Sequence, residues 1–145
     1  MAETLKLQVE TGAVTVQVED EQGRALGSFD FNPADSNILK RYGAVIDFFN
    51  AVTIDDTLPE EEQIAQMNKL ADDIGEQFDY LLGYPVSESV FRVCGPLSVT
   101  GSGDFFFESV LTGIGGIIEK VTAQRLDKKL KKISKATAAA PRRSK

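Results

Sequence analysis

Between Phe29 and Tyr42 the chain changes its hydrophobic period, and that change narrows what it can fold into. Phe29 and Phe31 alternate with polar neighbours, as on a strand with one buried face. Beyond Asn32-Pro33 the apolar positions are Ile38, Tyr42, Val45, Ile46, Phe49 and Val52. Their spacings of four, three, one, three and three make one helical stripe. Pro33 has its φ fixed near the helical value and no N–H to satisfy, which suits the first turn of a helix. Asn32 then caps that turn with Asp35 in the place of a capping-box acid, or Asp35 itself caps a plain turn. On either reading Asn32, Pro33 and Asp35 are structural. The expected class is α+β, a β segment followed by a helical body.

Upstream, Leu5, Leu7 and Val9 alternate with Thr4, Lys6, Gln8 and Glu10, and Val14, Val16 and Val18 alternate with Thr15, Gln17 and Glu19. Period-two patterns of this kind read as two strands, each with one wet face. Thr11-Gly12 is expected to be the tight hairpin turn between them. Asp20-Glu21-Gln22-Gly23 makes a second turn and residues 25–31 a third strand. Three antiparallel strands over residues 1–31 need a helix to cover their apolar face.

Downstream, Pro59 and the acids Glu60, Glu61 and Glu62 mark a helix start favoured by the macrodipole. Ile64, Met67, Leu70, Ala71, Ile74, Phe78, Leu81 and Leu82 form its stripe, and Gly83-Tyr84-Pro85 stops it. A short helix over residues 87–94, capped by Ser87, and a loop over residues 95–104 follow. Phe105-Phe106-Phe107 opens the last helix, which runs through Val110, Leu111, Ile114, Ile117, Ile118 and Val121. Gly113, Gly115 and Gly116 inside it each cost about 0.5–1 kcal/mol against alanine; they stand for close packing, or for a helix that bends or docks. Leu126, Leu130 and Ile133 continue a thin stripe among lysines, marginal as an isolated helix. The expected layout is one domain over residues 1–135, with a helical body at 33–123 and a basic extension at 124–135. Residues 136–145 read as a disordered end.

Catalytic chemistry is scarce. The chain has 145 residues, no histidine and one cysteine. The commonest general base and transition-metal ligand is therefore missing, and a zinc site has no ligand set. Cys94, beside Val93 and near Phe91, reads as a small buried filler in a reduced compartment. Gly101-Ser102-Gly103 lacks the lysine of a phosphate-binding loop. Asp55-Asp56 and Asp72-Asp73 fall in polar stretches that offer no burial to shift a pKa. Ser87 and Ser89 have no base to activate them. The expectation is a non-enzyme with no cofactor and no metal. No apolar run approaches a membrane span, and no signal-peptide layout opens the chain. Charge is divided along the chain: residues 1–118 carry 6 basic and 20 acidic side chains, a net of −14, and residues 119–145 carry 10 and 2, a net of +8. An acidic body argues against general nucleic-acid binding, while the basic end suits phosphates or an acidic partner.

Three stretches carry a resemblance. Phe29 to Asp35, opening a helix with Arg41-Tyr42, is similar to the tail assembly chaperones of long-tailed phages and prophages. Phe78-Asp79-Tyr80-Leu81-Leu82-Gly83 and then Ser87-Glu88-Ser89-Val90-Phe91 with Gly95 resemble that family's second signature. The similarity covers residues 29–95; the C-terminal 25 or so residues fit it less clearly. It implies a protein of the host cell cytoplasm, outside the mature virion, that binds the tape measure protein and keeps it soluble. It further implies recruitment of the tail tube protein, self-association into oligomers, and a longer form made by ribosomal frameshift. For self-association or partner contact the expected residues are Phe105, Phe106, Ile114, Ile117 and Ile118, on a glycine-containing apolar helix before a loose end. The alternative from another class is a structural virion subunit, a small tail tube or head–tail joining protein. A third is a nucleic-acid-associated protein acting through the basic end, whose affinity would fall steeply with salt.

Overall fold

A computed structural model describes residues 2–139. The chain is α+β. A two-stranded antiparallel sheet, β1 (Val14–Glu19) and β2 (Ala25–Phe31), precedes four helices: α1 (Asn37–Ala51), α2 (Glu60–Leu82), α3 (Ser87–Phe91) and α4 (Phe106–Ala139).

The sheet has the alternation its sequence dictates. Val14 pairs with Phe31, Val16 with Phe29 and Val18 with Gly27, so the apolar residues of both strands share one face. The turn between the strands is organised by Asp20. Its carboxylate accepts the backbone N–H groups of Gln22 and Arg24, each at 2.9 Å, and Gly23 takes the positive φ of 79° that the turn requires. The register slips by one residue between Val18 and Glu19, a bulge of the kind that bends a strand at its end.

The expected first strand does not form. Residues 2–13 lie outside any strand, and Leu5, Leu7 and Val9 are 84%, 89% and 68% exposed. The reason lies at Thr11-Gly12, which is held elsewhere and does not turn a hairpin. Asn32 Nδ2 donates to the Thr11 carbonyl at 2.5 Å, and Arg125 Nη1 donates to Asn32 Oδ1 at 3.0 Å. The peptide that would have closed the hairpin is bonded to Asn32 at the far end of the β segment, and Asn32 is in turn held by Arg125 of α4.

The first helix also starts later than the sequence indicates, at Asn37 rather than at Pro33. Pro33 is buried in the connection. Asn32 Oδ1 accepts the Ala34 N–H at 3.1 Å and Asp35 Oδ1 accepts the Asn37 N–H at 2.9 Å, two successive side-chain turns that lead into the helix. Arg41, one turn on, ties α1 to the end of α2: its guanidinium donates to the Leu81 carbonyl at 3.3 Å and lies 3.7 Å from Asp35. A cation at a helix C-terminus is favourably placed against the dipole.

Helix α2 begins and ends as its sequence indicates, with Pro59 before the acidic first turn and Gly83 in the left-handed conformation at φ 73°. Its partner α3 is held by Asp79, whose carboxylate accepts both the Ser87 N–H at 2.7 Å and the Ser87 hydroxyl at 2.8 Å. That helix ends at Phe91, short of the expected Cys94, and Cys94 is half-buried rather than enclosed. Tyr42 and Ile64, read as stripe residues, are half-exposed.

One core joins these elements. Phe29 and Phe31 of the sheet, Ile38 and Val45 of α1, and Ile74, Phe78, Leu81 and Leu82 of α2 meet Val86, Val90 and Ile114. Phe78 packs edge-on against Phe91 at 5.2 Å. Helix α4 is continuous over 34 residues, about 50 Å at the usual rise. The basic extension expected to be separate is its second half. The helix includes residues 136–139, expected to be disordered; residues 140–145 of that expectation lie outside the described residues.

Candidate interaction surface

Two apolar grooves flank the start of α4, one on each side. The first lies between α1, the connection after it, α2 and α4. Ile46, Phe49, Ile54, Leu70, Phe107 and Leu111 are among its walls, and its volume is about 460 Å³. Phe49 and Phe107 stack across one wall at 5.2 Å, and Phe105 stacks on Phe107 at 5.9 Å. Ile54, in the α1–α2 connection, is half-exposed at its rim. The second groove, about 300 Å³, lies between the sheet and α4, with Val16, Val18 and Phe29 on one side and Phe106, Val110, Gly113 and Ile117 on the other.

The loop before α4 sets this arrangement. Val99 bridges Phe105, and the N–H groups of Phe106 and Phe107 donate to the carbonyls of Ser98 and Pro96 at 2.7 and 3.0 Å. Glu108 reaches back to accept the Phe105 N–H at 2.9 Å, satisfying one of the donors a helix start leaves free. The three consecutive phenylalanines therefore point in set directions. Phe105 and Phe107 face the first groove, and Phe106 faces the second and meets Phe91 at 6.1 Å.

The five residues singled out in the sequence are thus divided between two faces. Phe105 belongs to the first groove, Phe106 and Ile117 to the second, and Ile118 is half-buried against the core. Ile114 is 3% exposed and belongs to the core itself. Sequence reasoning missed Phe49, Ile54, Leu70 and Phe107 as neighbours. The helical stripe named Phe49 and Leu70 as inward residues but carried no sign that α1 and α2 leave a gap between them. The glycines of α4 do not serve close packing. A side chain added at Gly113, Gly115 or Gly116 would meet nothing within 4 Å.

A third surface is charged. The second half of α4 presents Arg125, Lys128, Lys129 and Lys132 beside Glu10, Thr11, Gly12 and Asn32, around a cleft of about 570 Å³. Leu126, Leu130 and Ile133 are exposed on the same half. Thr122 Oγ1 donates to the Pro33 carbonyl at 3.2 Å, and with Arg125 it fastens this helix to the strand-to-helix switch.

The acidic pairs act locally. Asp55 Oδ1 accepts the hydroxyl and N–H of Thr57, and these bonds, the hydroxyl first, hold its carboxyl below the ordinary range. Asp73 pairs with Lys69 at 2.9 Å on the surface of α2. Among the described residues no group of three or more histidine, cysteine or acidic side chains could hold a metal ion. No described helix is long and apolar enough to cross a membrane. No protein-family model matches the chain, and neither a curated protein nor a solved structure matches it.

Proposed function

We propose that this chain is a tail assembly chaperone: a non-enzymatic protein of the host cytoplasm that binds the helical tape measure protein, keeps it soluble and helps recruit tail tube subunits. The observation that carries the reading is the open apolar groove walled by Ile46, Phe49, Ile54, Leu70, Phe107 and Leu111. A groove of this kind takes the apolar ridge of an amphipathic helix. The acidic body around it, net −14 over residues 1–118, keeps such a complex in solution. The resemblance over residues 29–95 supports the same reading. Its motif residues have structural work here: Asn32 and Asp35 shape the switch, Arg41 ties two helices, and Asp79 holds Ser87.

A second reading, a structural virion subunit, draws on the two free edges of the sheet. Co-expression with the long, helix-rich protein encoded beside it, followed by affinity capture and sizing, tests the first. A soluble complex containing both chains is expected. A partner that stays insoluble while this chain elutes alone would remove the chaperone reading. Recovery of the chain in purified particles would favour the structural one.

A further inference from the structure

The segment before β1 has the sequence pattern of a strand but joins no sheet. Residues 4–10 keep the strict alternation of a strand, yet among the described residues the backbone of 2–10 makes no hydrogen bond, and Leu5, Leu7 and Val9 stand in solvent. Unpaired backbone and an exposed apolar row invite pairing with another chain. Seven extended residues span about 23 Å, the length of β1 or β2.

A receptor of matching form exists on the same molecule. β1 has a neighbour on one side only. Beneath it runs the second groove, walled by Val16, Val18, Phe106, Val110, Gly113 and Ile117. A strand added to the free edge of β1 continues the face that carries Val14, Val16 and Val18, and sets its own apolar row over this groove. Gly113 leaves that space open, since a Cβ there would touch nothing. The arm does not reach this edge in its own chain. Thr11 is bonded to Asn32, and Gly12 turns at φ 84° with Arg125 against it, so the arm departs beside Lys128 and Lys132.

We propose that residues 4–10 of one copy add as a third strand to the free edge of β1 in a second copy, filling the groove between that sheet and α4 with Leu5, Leu7 and Val9. The occupant is this chain's own arm. The contact rests on the arm, the edge and the groove, and it does not depend on the chaperone reading.

The test uses the full chain and two variants that leave the isolated fold alone. Leu7→Asp changes a solvated side chain on the arm, and Gly113→Leu fills the groove from a helix position with free space. Light scattering after size exclusion is expected to give an oligomer for the wild type and a single chain of 15.8 kDa for each variant. Mixing the two variants restores one contact, the Gly113→Leu arm on the Leu7→Asp groove, and is expected to give a species of twice that mass. Circular dichroism checks that each variant is folded. A monomeric wild type, a Leu7→Asp variant of wild-type size, or a mixture that stays monomeric would each overturn the proposal. An arm that folds back on its own β1 predicts the first of these.

Discussion

Replacing Gly115 and Gly116 with alanine is expected to stabilise the chain by about 1–2 kcal/mol. Both lie inside α4 with helical backbone, both are exposed, and a methyl group at either would meet nothing within 4 Å. The native state therefore gains no clash. What changes is the unfolded chain, which loses conformations it would otherwise have to give up. Each substitution contributes about 0.5–1 kcal/mol, and neither added methyl meets a neighbour within 4 Å that would offset it. At this chain length the sum corresponds to roughly 3–7 °C in midpoint. Urea unfolding followed by circular dichroism measures it, with the slope expected to stay unchanged. Gly83→Ala is the control of opposite sign. Gly83 sits at φ 73°, and an added Cβ would lie 2.9 Å from the Arg41 guanidinium, so that variant should lose about 1 kcal/mol or more. A double variant no more stable than the wild type would refute the reasoning, because it would mean that the isolated helix needs these glycines for a bend or contact that the fold does not contain.

Asp79→Ala should cost about 1–3 kcal/mol, since it leaves the half-buried Ser87 N–H unpaired; Ser87→Ala keeps that bond and should cost less in the same unfolding assay. Asp35→Ala should cost on the order of 1 kcal/mol through loss of the bond to the Asn37 N–H, with partner capture by the folded fraction unchanged. The Asp20 carboxyl is held below its ordinary range, first by the backbone N–H of Arg24 and less by its guanidinium. Its contribution to the turn is therefore complete above the ordinary aspartate value and lost as pH falls through the depressed one. Arg24→Ala should leave most of that depression in an NMR titration, and full recovery of the ordinary value would show that the side chain carries it. Ile54→Asp, at a half-exposed rim position, should change stability by no more than about 0.5 kcal/mol while abolishing capture of the helical partner.

The order and type of most elements could be read from the sequence. Period-two alternation gave β1 and β2, because the face of a strand is set by local geometry. Stripe spacing and the Pro59 and Gly83 boundaries gave α2 for the same reason. The same local rule also assigned a strand to residues 4–10. That reading failed because alternation states what a segment can pair with, not whether an edge is within reach. Whether it is reached depended on Asn32 and Arg125, ninety-three positions apart, which hold Thr11-Gly12 away from a hairpin.

The candidate surfaces divide along the same line. That Phe105, Phe106 and Phe107 would be apolar contacts was evident from their composition. That Phe105 and Phe107 face one groove while Phe106 faces another was decided by the Ser98 and Pro96 carbonyls and by Glu108, which fix how the helix starts. Ile114 and Ile117 share one stripe in the sequence and both line the second groove, yet only Ile114 is buried in the core. The sequence by itself determined which residues avoid water. Only the tertiary structure decided which of them find enough neighbours, because burial depends on how elements distant in the chain pack and on the gaps they leave between them.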